Sequence, residues 1–118
     1  MLKTILALAV FFSFPALASA LTPETDAFLQ SLGYAQNSPE VTRVAADSVN
    51  GRTLDSLAAK HDEDGVRRFI TTRNFIHRYM KDPSTPFPTH YYDVAYLSAS
   101  EQDFIFNQIA AGFGARIG

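Results

Sequence analysis

Cysteine and tryptophan are both missing from the chain. With no thiol, neither a disulfide framework nor a lipid attached to an amino-terminal cysteine can form, so packing alone must hold the fold. A charge excess is missing too: ten lysines and arginines face twelve carboxylates, for a formal net charge of −2. No glycine-framed serine of the G-x-S-x-G type marks a nucleophile, and no cysteine can replace it, so no catalytic residue is assigned. The histidines His61, His77 and His90 lack close ligand spacing, and His61-Asp62-Glu63-Asp64 lacks the remaining positions of a calcium loop. No metal and no cofactor are expected. Alternating strand runs bounded by hairpin turns are absent, as is any internal repeat, which points away from sheet and solenoid architectures.

One long apolar run is present, Ile5 to Phe14, and its setting is that of an export signal. Lys3 is the only charge before Glu24, Pro15 ends the run, and Ala18-Ser19-Ala20 places a small residue at both positions a signal peptidase must accommodate. The run is far short of the roughly 20 residues needed to cross a bilayer, so residues 1–20 read as a cleavable signal peptide rather than an anchor. Cleavage after Ala20 makes Leu21 the first mature residue and leaves no stable membrane insertion. The expected location is the periplasm or the exterior of a bacterial cell. Residues 21–118 suffice for one modest core and are too few for two, so a single helical domain is expected.

Helix signals fill that stretch. Thr22-Pro23-Glu24 and Ser38-Pro39-Glu40 each supply a capping hydroxyl, a proline for the first turn and a carboxylate at the positive end of the dipole. The first predicts a helix over about 23–32, with Thr25, Phe28, Leu29 and Leu32 on one face and Gly33 as its left-handed stop. The second predicts a helix carrying Val41, Val44, Ala45 and Val49 and halted by Asn50-Gly51. Thr53 opens a third, with Leu54, Leu57, Ala58 and His61 as its stripe. In the fourth, Val66, Phe69, Ile70, Ile76 and Met80 share one third of the circumference, with Arg67, Arg68, Thr71, Asn74, Arg78 and Lys81 opposite. Pro83, Pro86 and Pro88 end it and leave an extended loop over 82–90. Tyr91 to Leu97 is read as a short helix. Ser98 and Glu101 have capping-box spacing and open a last helix with Ile105, Phe106, Ile109, Ala110 and Phe113 as its stripe, ended by Gly112 and Gly114. The expected fold is all-α, a compact bundle of four to six short helices.

Two features carry the functional reading. Arg73 and His77, four residues apart, interrupt the apolar stripe of the fourth helix, where a buried cation is costly unless an acid such as Asp93 or Asp103 meets it. They outline a polar pocket in which Arg73 binds an anionic ligand and His77 changes charge near neutral pH. The plainer reading is an arginine stem covering apolar surface beside a half-buried histidine, and on that reading replacing His77 is costly. The second feature is charge: Val66 to Lys81 holds five basic residues and no acid, while the rest of the mature chain holds four basic against twelve acidic. Arg67, Arg68 and Arg78, with Phe87, Tyr91 and Tyr92 of the stiff proline-aromatic loop, form the expected docking surface for an acidic envelope or secreted protein. The plainer counterparts are attraction between helices of opposite charge and a loop that packs Phe87 and Tyr91 across the end of the bundle.

Thr53 to Phe69, with Leu57-Ala58-Ala59-Lys60-His61, a short turn and Val66-Arg67-Arg68-Phe69, resembles a helix-turn-helix DNA-binding unit. It departs from that pattern at Asp62-Glu63-Asp64, which would bring three carboxylates up to the phosphates, and export separates the protein from chromosomal DNA. Nucleic acid is therefore not expected as a partner. The expected role is binding by a small exported helical protein. The alternative is a carrier of a small anionic ligand, or an enzyme, built around Arg73 and His77.

Overall fold

A computed structural model describes residues 21–113; residues 1–20, read above as a signal peptide, and the expected helix stop Gly114 lie outside the described residues. Each helix starts at a side chain that accepts an otherwise orphaned backbone N–H. Thr22 starts α1 (Pro23–Ser31), Ser38 starts α2 (Pro39–Ala45) and Asp47 starts α3 (Ser48–Ala59). Asp62 starts α4 (Glu63–Tyr79), and Ser98 starts α5 (Ala99–Ala110) with the expected reciprocal capping box to Glu101. A single 3-10 turn, Val94–Tyr96, lies between α4 and α5. The protein is all-helical among the described residues.

The boundary between α2 and α3 differs from the sequence expectation. The Asp47 carboxylate accepts the N–H groups of Val49 at 2.8 Å and Asn50 at 3.2 Å, so α3 begins well before Thr53 and runs straight through Asn50-Gly51. A cap that satisfies two donors outweighs the roughly 1 kcal/mol that glycine costs in a helix interior. Thr53 caps nothing; its hydroxyl turns back onto the Val49 carbonyl at 3.1 Å. His61 does not extend the α3 stripe, because it lies beyond the helix at φ 54°, exposed, with its ring edge-on to Phe28. Nor is Tyr91 to Leu97 a helix beyond the one turn: Tyr91 has φ 63°, a left-handed conformation that interrupts a right-handed helix.

Two clusters form the core, and α4 runs through both. Its N-terminal half packs Val66, Phe69 and Ile70 against Leu29 of α1, Val44 of α2 and Leu54 and Leu57 of α3. Its C-terminal half packs Phe75, Ile76 and Tyr79 against Leu97 and Ile105, and Phe87, Tyr92 and Phe104 close this second cluster. Because partners approach α4 from different sides along its length, one stripe does not describe its buried surface. Met80, expected inside, is 49% exposed, whereas Asn74, expected on the wet face, is 6% exposed. The face of α5 is displaced as well. Glu101, Phe104 and Ile105 turn towards the core, and the expected stripe residues Phe106, Ile109 and Phe113 are exposed. The ion pair described next sets that register.

Candidate functional site

Three of the five cations of α4 and its end are neutralised within the fold. Arg67 donates to the Glu63 carboxylate at 3.1–3.2 Å and to the Leu32 carbonyl at 2.9 Å, and its guanidinium lies 5.9 Å from the Tyr34 ring centroid. Arg68 donates to Asp64 one turn back and reaches Asp93 at 4.0 Å. The acids of the 62–64 turn thus cap α4 and pair with its first arginines. Asp62 accepts the Gly65 N–H at 2.9 Å, and a β-carbon at Gly65 would collide with that carboxylate. Two arginines that would face phosphates in a helix-turn-helix unit are therefore occupied by carboxylates one turn away.

Arg73 is held most firmly. Its two terminal nitrogens donate to the two carboxylate oxygens of Glu101 at 2.7 and 2.9 Å, and one also reaches the Tyr96 carbonyl at 2.9 Å. The acid that meets it is Glu101 rather than Asp93 or Asp103. A bidentate pair fixes orientation as well as distance, so α5 is pinned to α4 with the 101/104/105 side inward. Burial pushes the Glu101 carboxyl up, but hydrogen bonds from Arg73 and Ser98 outweigh it and leave the group below its ordinary range.

His77 lies on the surface, not in the core. It shares a hollow of about 250 Å³ with Arg73, Arg43, Asp47, Met80 and Glu101, so the structure does bring the expected pair to one place, but there Arg73 is committed to Glu101. The histidine's nearest polar neighbour is Lys81, with Nζ 3.3 Å from Nε2.

The proline loop divides its aromatic residues. Phe87 and Tyr92 are structural: their ring centroids lie 4.8 and 5.4 Å from Phe75, and 5.4 Å from each other. Tyr91 is 42% exposed. Asp82 opens the loop by accepting both the N–H and the hydroxyl of Ser84, and its backbone carbonyl accepts the Thr85 N–H. Thr72, fully buried on α4, secures the far end: its hydroxyl accepts the Asp93 N–H at 2.9 Å.

Between the loop, α2 and α4 runs a groove of about 540 Å³. Pro39, Ile70, Pro86, Phe87 and Pro88 give it apolar walls, while Arg43, Arg78, His90, Tyr34 and the lone carboxylate Glu40 supply polar groups. Arg43 and Arg78 form no ion pair among the described residues. Arg43 is aimed by Asn74, whose side-chain oxygen accepts from it at 2.5 Å and whose amide donates to the Glu40 and Ile70 carbonyls at 3.0 and 2.9 Å. The sequence pattern assigns none of Arg43, Asn74, Tyr34 and His90 to a site: it places Asn74 on the wet face and His90 away from any metal cluster. The one available signal was Asn74, an asparagine in mid-helix whose side chain competes for backbone partners.

Among the described residues no group of three or more His, Asp or Glu side chains could hold a metal ion, and no helix is long and apolar enough to cross a membrane. Comparison with known protein families, with curated proteins and with solved structures finds no match to this chain.

Proposed function

We propose that this is an exported binding protein that holds an acidic segment of a partner protein in the groove between α2, α4 and the proline loop. The observation that carries the reading is the contrast among its arginines. Arg67, Arg68 and Arg73 are matched by Glu63, Asp64 and Glu101, whereas Arg43 and Arg78 converge on the groove with no carboxylate bound to them among the described residues. Uncompensated cations beside apolar walls favour an anionic ligand, and a wall stiffened by Pro86 and Pro88 loses little freedom when it is covered. Of the docking surface expected from sequence, Arg78 and Phe87 remain in this proposal and Arg43 joins them. A small anionic ligand is the second reading, because the volume falls in the range of small-molecule sites.

Binding of an oligoglutamate peptide, followed by fluorescence anisotropy at low and physiological salt, tests the proposal. We expect saturable binding that weakens as salt is added and is lost in the double variant Arg43→Ala/Arg78→Ala, while Arg67→Ala retains it. Equal loss in Arg67→Ala would place the ligand elsewhere on α4. Failure to bind the peptide, together with a thermal shift from a small dianion such as sulfate, would favour the ligand carrier.

A further inference from the structure

The cations around the foot of α4 repel one another, and one of them can change its charge. Lys81 Nζ stands 3.3 Å from His77 Nε2. An ammonium group has no acceptor, so Nε2 must be the accepting nitrogen and the ring is neutral with its proton on Nδ1. Arg43 joins the two depressions, lining the hollow with His77 and the groove with Arg78. Partial desolvation by the side chains around the hollow lowers the pKa of the otherwise exposed His77, and Lys81, Arg43 and Arg78 each lower it further. Two carboxylates face the same hollow, but Glu101 is held by Arg73, and Asp47 spends one oxygen on the cap of α3. His90, with Nδ1 3.0 Å from the Thr89 hydroxyl, lines the groove itself, on the far side of Arg43 from the hollow that holds His77.

We propose that this basic end is a proton-linked site: an acidic segment that runs from the groove, past Arg43, to the hollow where Lys81 meets His77 drives His77 to take up a proton, so that the protein grips its partner more tightly as the medium acidifies. The inference rests on the groove being the docking site. An anion there replaces repulsion on the imidazole by attraction, which raises its affinity for a proton. By linkage the proton tightens the anion by the same factor. The proton comes from solvent and adds to Nε2; the Lys81 ammonium gives up its hydrogen bond to the ring and turns to the incoming carboxylates. One linked proton allows at most a tenfold change in affinity per pH unit, confined to the interval between the free and bound pKa values of the ring.

Isothermal titration calorimetry with the oligoglutamate peptide is the test, because its carboxylates stay ionised from about pH 8 down to about pH 6 while histidine titrates. Titrations in two buffers of different ionisation enthalpy count the protons taken up. The expected result is a several-fold lower Kd near pH 6 than near pH 8, with uptake of up to about one proton per peptide. Both effects disappear in His77→Gln and persist in His61→Gln, whose exposed ring lies against Phe28 and lines neither depression. Binding without uptake overturns the linkage and leaves the groove standing; no binding at either pH overturns both. Uptake that survives His77→Gln and vanishes in His90→Gln moves the proton to the other ring and also overturns the proposal.

Discussion

The α1–α3 half of the molecule packs aliphatic side chains delivered by three capped helices, whereas the α5 half packs rings delivered largely by the proline loop. Leu29, Val44, Leu54 and Leu57 meet the first half of α4, each from a helix with its own start signal. Phe87 and Tyr92 meet the second half from a chain that has no helix of its own, tethered by Asp82 at one end and by Thr72 at the other. The comparison teaches where each half is vulnerable. Helices whose ends are satisfied locally need the core only for their faces, while the loop has little besides its rings to hold it.

The largest expected effect follows from that difference. Phe75 is fully buried and touches the rings of Tyr79, Phe87 and Tyr92, so Phe75→Ala should cost about 3–5 kcal/mol in urea denaturation, at least as much as Leu54→Ala on the other side, about 2–5 kcal/mol. Since α4 crosses both clusters, far-ultraviolet helix and near-ultraviolet tyrosine signals should melt together. Separate transitions would break the comparison into two independently folding units.

Next in size is the ion pair that docks α5. Arg73 and Glu101 are 21% and 15% exposed, so Arg73→Ala should destabilise by about 1–3 kcal/mol, less than a fully buried pair, because it strips Glu101 of its main partner. If α5 instead docked through the rings alone, the variant would be nearly silent. The same pair predicts a pH response whose sign is fixed. The Glu101 carboxyl is held below its ordinary range in the folded state, so its contribution is complete above the unfolded value of about 4.3 and is lost as the pH falls towards the folded one. Glu101→Gln should therefore flatten the acid limb of a stability profile, measured between about pH 6 and about pH 3, relative to the unaltered chain.

The smallest effects belong to side chains that the sequence pattern placed inside. His77→Gln, Met80→Ala and Phe106→Ser should each move stability by no more than about 0.5 kcal/mol, since all three lie on the surface. A cost above about 1 kcal/mol at His77 would restore it to the core and with it the expectation of a buried Arg73–His77 pocket.

Local chemistry determined a good deal of this protein. The all-helical class, the starts of α1 and α2 at Thr22 and Ser38 and the capping box of Ser98 and Glu101 were legible because each is decided within four residues, by an oxygen in reach of an orphaned N–H. The loop was legible for the same reason, proline acting on its own backbone and its predecessor's. Which side of a helix faces inward was decided elsewhere. Glu101 chooses the face of α5 by meeting an arginine 28 residues away, and Asn74 is drawn inside by Arg43 and Glu40, more than 30 residues away. Whether a given arginine is spent or free depends on the same distant partners. Periodicity assigns a helix one apolar side, but a helix that crosses two clusters is buried on more than one, and only the packed arrangement of its neighbours specifies where each begins.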